Sequence, residues 1–175
     1  MKFVATKITM ETKTQSQILG ETYESVRNLT KLYFSKFDGI DLNKQLELNG
    51  VKFNSPQWLA AHLVWTEHFL IIKGLGNKSL DIPWLEEYSF GSNPDEIKTK
   101  LSYDEIMKKM DEVHTEAMSI ISSLTDEQME EPNHIGVTFG DSNTKRKILI
   151  HAIRHEPMHA GQLSWILKAN GIKVV

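Results

Sequence analysis

No cysteine occurs among the 175 residues, and that absence removes a disulfide framework, a thiolate-ligated metal and a cysteine nucleophile together. Any metal held by this chain must rest on histidine or carboxylate. No apolar run approaches the roughly 18 to 20 residues of a membrane-crossing helix. The opening MKFVATKITM is too short and too polar for a signal peptide, so a cytoplasmic protein with no membrane partner is the expectation. A dominant charge is missing too: 20 Lys and Arg stand against 23 Asp and Glu, for a net charge of -3. The basic residues form no stripe that would track a nucleic acid or an anionic membrane. The expected partner is a small molecule or a second copy of the chain.

A hydrophobic share of 40% in 175 residues is enough to fill one core, and one domain over 1–175 is the expectation. Apolar residues recur at helical spacing in four long segments. The first spans about Ser16 to Phe37, with Ile18, Thr22, Val26, Leu29, Tyr33 and Phe37 as its inward side. The second starts sharply at NSPQW, where Ser55 is a good N-cap and Pro56 suits the first helical position, and runs to about Lys73. Its inward side is Trp58, His62, Trp65 and Phe69. The third begins at a Ser102/Glu105 capping box and buries Ile106, Met110, Val113, Ala117, Ile121 and Leu124. TDEQ at Thr125 starts a short helical turn, and the last helix runs from about Thr144 to Asn170, ended by Gly171. Four such amphipathic helices imply an all-α fold, a four-helix bundle. Two of its connections are about 20 residues or longer, a length that is often functional.

The densest chemistry is HAIRHEPMHAGQL, from His151 to Leu163, with three of the seven histidines. On a helix His155 and His159 share a face about 6 Å apart along the axis, while His151 and His159 are about 12 Å apart. All three cannot share one ion through bonds of about 2.1 Å. The side formed by Ile148, Ala152, His155, His159, Gln162 and Ile166 faces the bundle, which selects the pair His155 and His159. The third ligand must come from upstream, and His62 leads because it lies among aromatics on an inward side. His68 falls on a different face. The competing reading is that His62 is a core histidine bonded to a carbonyl and that His155 and His159 cap polar holes.

HEPMH also matches the zinc-protease pattern HExxH. Against that, Pro157 sits inside the helix, and the 16 residues after His159 contain no His, Asp or Glu. A ferritin-like di-iron site would use Glu156-x-x-His159 and the near match Asp111-x-x-His114, but it needs inward glutamates from the first two helices. The inward sides proposed above contain none.

SPQWLAAHLVW, FGSNP and HEPMHAGQLSWI together resemble the DinB-like proteins, including the YfiT-like metal-dependent group. The resemblance covers most of the chain. It implies a four-helix bundle with long crossover connections in which His62, His155 and His159 bind one divalent ion, nickel, zinc or iron, and it implies a homodimer. Characterised relatives include thiol-dependent S-transferases and a thiol-dependent isomerase, which implies a transferase or hydrolase acting on a small molecule with a low-molecular-weight thiol. The alternative is a non-catalytic metal-binding or stress-related module.

Several residues keep open roles. Gly161 would let a neighbouring helix approach, and Gln162 would hydrogen-bond a ligand histidine or a metal-bound water. Glu156 lies about 100° round the helix from His155 and faces a neighbouring helix. His114 and His134 are acid/base candidates with ordinary surface positions as the competing reading. Trp58, Trp65 and Trp84 either line a pocket mouth or pack the core. Lys145, Arg146 and Lys147 crowd a helix N-terminus, as an anion site or a solvated face.

Overall fold

Each long helix starts where a side chain relieves its orphan amide groups. In the computed structural model, which describes residues 12–174, Thr14 and Gln17 form a capping box at the head of α1 (Gln15–Phe34). Residues 1–10, MKFVATKITM, fall outside the described chain. Ser55 accepts from the Trp58 amide to start α2 (Pro56–Glu67) with Pro56 in its first turn, and a π-helical stretch, His68–Lys73, carries the helix on to the expected end. Capping boxes open α3 (Tyr103–Ser123) at Ser102 and the short α4 (Asp126–Met129) at Thr125. Thr144 caps α5 (Lys145–Ala169), and Gly171, at φ +77°, ends it in the left-handed conformation that glycine adopts freely.

α1 packs on α5 and α3, and α2 packs on α3 and α5. The four long helices close around one apolar core that includes Leu59, Leu63, Ile71, Ile106, Met110, Ile148 and Leu163, each buried. This is the all-α bundle with long connections that the periodicity implies. The first connection adds an element not anticipated, a hairpin of β1 (Glu47–Leu48) and β2 (Val51–Lys52). Asn49 and Gly50 turn it with φ of +51° and +77°, the positive values that favour Asn-Gly in a two-residue hairpin loop.

α3 buries the side expected of it apart from Leu124 at its end, which is half-buried. α1 does not. Ile18 and Leu29 are exposed, and the buried side lies one residue further round, at Tyr23, Arg27, Thr30 and Phe34. The cause is electrostatic. Arg27 is fully buried because two carboxylates from other helices meet it: Nη2 lies 3.0 Å from Glu67 Oε2, and Nε lies 2.9 Å from Glu156 Oε1. Glu67 and Glu156 are themselves buried, so α2 does present an inward glutamate, contrary to the expectation from its apolar side. A guanidinium between them supplies the positive charge that a second metal would otherwise bring, so these carboxylates form a buried ion triad.

Candidate metal centre

α2 carries His62 on its inward side, and α5 presents His155 and His159 one turn apart across from it. Their ring centroids are 5.6 Å (His62 to His155), 5.0 Å (His62 to His159) and 4.6 Å (His155 to His159) apart. One ring nitrogen from each lies within 4.8 Å of the other two. Among the described residues this is the one such group of three, and it is the trio that helix geometry selected.

Hydrogen bonds fix which nitrogen each ring offers. His62 Nδ1 donates to the Tyr88 carbonyl at 2.7 Å, which leaves Nε2 a lone pair with only a 3.4 Å contact to the Thr66 hydroxyl. His159 Nδ1 donates to Gln162 Oε1 at 2.8 Å, so its Nε2 is likewise a lone pair, 3.3 Å from His155 Nε2. His155 Nδ1 is buried without a partner. Burial holds all three rings neutral: it lowers His62 to about 4, His155 to about 3 with further repulsion from His159 and His62, and His159 below its ordinary value against the pull of Gln162.

This donor set fits a divalent ion. Three neutral imidazoles whose Nε2 atoms converge in a half-buried place lack a positive partner, and a cation with nitrogen bonds of about 2.1 Å satisfies them together once His155 carries its proton on Nδ1. His155 and His159 are already within the separation two ligands of one ion require. Three protein ligands also leave at least one coordination position for something else.

Beside the cluster lies a cavity of about 900 Å³, lined by all three histidines. α2 walls it with a ladder of parallel rings: Trp58 on His62 at 4.7 Å, His62 on Trp65 at 5.7 Å, and Trp65 on Phe69 at 5.0 Å, all within 17° of parallel. Two connections complete it. The segment after α2 brings Tyr88, whose carbonyl orients His62, and Phe90 and Gly91 at the rim. The loop before α5 brings Val137 and Phe139, held by buried Asn133, which donates to the Val137 carbonyl at 2.7 Å and accepts from the Ile135 and Val137 amides.

The remaining candidates separate. Gln162 reaches His159 from an exposed position. Glu156 turns away from the cavity into the ion triad, as its helical angle implies. His151 lines the cavity with its ring stacked on Phe139 at 3.7 Å, and accepts from Arg154. His134 is exposed and away from the cavity. Trp58 and Trp65 line the cavity, whereas Trp84 packs edge-on against Tyr88. Pro157 lies exposed within α5, which continues through it.

Two expectations are corrected. His114 is a buried residue, not a surface one: Nδ1 donates to Glu67 at 2.7 Å and Nε2 to Glu24 at 2.8 Å. Burial alone would depress its pKa, but the two carboxylates outweigh it and raise it. A Cβ on Gly161 would meet nothing within 4 Å, so no helix approaches there. The basic run at the start of α5 is neutralised locally, buried Lys145 by Glu131, Arg146 by Glu130 and Lys147 by Asp141, so it is neither a fully solvated face nor a cluster of unpaired cations for an anion. Arg27 and Glu67 were not legible as a pair, since only the fold brings them together.

The fold and the site define a helical bundle with a three-histidine cluster at one wall of an apolar cavity. Residues 22–163 match the DinB superfamily, and the chain belongs to that superfamily. No curated protein matches it. Among solved structures, a crystal structure of a Streptococcus pneumoniae protein shares 16% identity and a TM-score of 0.57, covering 92% of this chain and 94% of its own. The crystal structure of an uncharacterized protein from Clostridium difficile 630 shares 15% identity and a TM-score of 0.55, over 90% and 98% of the two chains. At these identities the likeness is one of fold. None of the described helices is long and apolar enough to cross a membrane.

Proposed function

We propose that this protein is a metal-dependent enzyme acting on a small molecule, with one divalent ion, nickel, zinc or iron, held by His62, His155 and His159. The observation that carries the reading is the convergence of three neutral imidazoles, their nitrogens within 4.8 Å of one another, on the wall of an open cavity. A purely structural ion would take its fourth ligand from the protein and sit closed. Here the cavity is the place for a substrate.

A divalent ion so held lowers the pKa of a thiol or water that ligates it, the chemistry of thiol transfer or of hydrolysis. The chain's own groups do the rest. Tyr88 and Gln162 orient two of the rings through their outer nitrogens, and the ring ladder of α2 excludes water from one side. Thiol-dependent transfer is the preferred reaction, because among the described lining residues there is no Asp or Glu, and the histidine outside the cluster, His151, already spends its Nδ1 lone pair on Arg154 rather than on water.

Metal content per chain, measured by elemental mass spectrometry on untagged protein purified without chelator, tests the site. About one divalent ion is expected in the wild type, with loss in His62→Ala, His155→Ala and His159→Ala. A wild type that stays metal-free after reconstitution with nickel, zinc and iron would return the three histidines to the core.

A further inference from the structure

The cavity's lining is unusual for a site that meets a polar metabolite. Among the described residues that line it, the polar ones apart from the histidines are Asn54, Thr66 and Ser92, and none is Lys, Arg, Asp or Glu. A ligand that carried carboxylates or an ammonium group into it would lose their hydration without gaining a counter-charge. Within the described lining the place able to receive negative charge is the coordination position at the histidine cluster, since the neighbouring guanidinium, Arg154, is exposed and bonded to His151.

The walls are also aromatic. Trp65 is sandwiched between His62 and Phe69, at 5.7 Å and 5.0 Å and within 17° of parallel, so it turns its edge to the cavity, and its indole N–H donates to Glu86 at 3.1 Å, which fixes its plane. On the other side Phe139 is stacked on His151, with 10° between the planes. At the rim, Met158 is 58% exposed and Phe90 87% exposed, large apolar side chains that border the cavity. A volume of about 900 Å³ accommodates a body of two fused rings with space to spare.

We infer that the cavity takes a flat aromatic molecule whose single anionic group is the donor that reaches the histidine-held ion, an aromatic thiol in the thiol-transfer reading. Trp65, Phe69 and Phe139 are the residues that select it, by edge-to-face aromatic contact and by excluding charge. This rests on the metal reading above. It adds a substrate class that the three histidines do not define, and it runs against a polar peptide thiol as the preferred occupant.

The test uses full-length protein and cobalt(II) as a spectroscopic probe. Cobalt uptake is read first, without thiol, from its visible d–d bands in the wild type and in His62→Ala. Naphthalene-2-thiol and glutathione are then titrated into the cobalt protein, each followed by the change in those bands and expressed per thiolate. The aromatic thiolate is expected to bind at least about tenfold more tightly. That preference should shrink in Phe139→Leu and in Trp65→Ala, variants whose cobalt stoichiometry is measured in the same samples. Cobalt bound by the histidines with equal or tighter binding of glutathione would overturn the inference and leave the metal reading intact, as would a preference untouched by both substitutions. Cobalt that does not bind, or binds equally to His62→Ala, would overturn the metal reading and this inference with it.

Discussion

His155 Nε2 and His159 Nε2 face each other at 3.3 Å, and the second of these is a lone pair because His159 spends its proton on Gln162. Without an ion, His155 must therefore turn its own N–H toward His159, leaving its buried Nδ1 a bare lone pair. With an ion, the His155 proton moves to Nδ1 and both Nε2 atoms become ligands. One proton relocated within one ring separates a hydrogen-bonded histidine pair from a ligand pair, which ties the cluster's stability to pH.

The sign of that dependence follows from the depressed values. His62, lowered by burial to about 4, and His155, lowered by burial and neighbouring histidines to about 3, stay neutral in the folded protein while the unfolded chain takes up protons below about 6.5. Stability is full above pH 6.5 and is lost as pH falls toward the folded values. Metal-free wild type should lose on the order of 2 kcal/mol per ring between pH 7 and pH 5, at about 1.4 kcal/mol per pKa unit. Urea titrations of wild type and His155→Phe at the two pH values check this. The variant should show a clearly smaller drop, and equal drops would refute the assignment.

The ion triad predicts an asymmetry. Arg27→Met removes the cation between buried Glu67 and Glu156 and should cost about 3 to 5 kcal/mol, because it leaves Glu67 with His114 alone and strands buried Glu156 without a charged partner. Adding Glu67→Gln and Glu156→Gln to the same chain should recover a large part of that loss. Denaturant unfolding of the single and triple variants measures it. A triple variant no more stable than Arg27→Met would show that packing, not charge, is what the arginine provides.

The triad also marks where reading the sequence stopped short. The histidine cluster was legible because it depends on local spacing: four residues place His155 and His159 on one face, and aromatic neighbours mark His62 as inward. α3 was legible for the same reason. α1 carries two candidate sides one residue apart, and the more apolar one faces outward. What decides between them is charge on α2 and α5, with Glu156 lying 129 residues from Arg27, a separation no periodicity reports. His114 was misplaced by the same omission, since Glu67 and Glu24 are its partners. The Asn49-Gly50 hairpin differs, because its turn signal, Asn-Gly within LELNGVKF, is local to the sequence.

Helix α2 depends on its first residue. Ser55 accepts from the Trp58 amide at 3.2 Å and is buried, so no water replaces it when it is removed. Ser55→Ala should cost about 1 kcal/mol, read as a lower midpoint in thermal or urea unfolding. Ser55→Asp, which keeps an acceptor at the cap, should lose less. Equal losses in the two variants would mean that the burial of the site outweighs its cap.

Gly161 offers a substitution in the opposite direction. It sits in the interior of α5 with helical geometry and open space around its missing Cβ. Gly161→Ala should therefore stabilise the fold by roughly 0.5 to 1 kcal/mol, since glycine in a helix loses more backbone freedom on folding than alanine. An unfolding midpoint that falls in this variant would mean that some partner, such as a second copy, packs on that side of α5.

Gln162 separates the support of the metal centre from the support of the fold. Its side chain is exposed, and its one hydrogen bond is the acceptor it offers to His159 Nδ1 at 2.8 Å. Removing that acceptor leaves the core untouched but frees the His159 ring to rotate and to exchange tautomers, so that its Nε2 no longer waits as a lone pair. Gln162→Leu should unfold within about 0.5 kcal/mol of wild type, yet bind zinc about 10 to 100-fold more weakly, the usual cost of losing a group that orients a ligand histidine. Gln162→Glu, which keeps an acceptor and adds a negative charge, should restore the affinity. Competition against a chromophoric chelator gives the affinities and urea unfolding gives the stabilities. If Gln162→Leu bound zinc as tightly as wild type, the ring would be held in place by packing against His62 and His155 alone.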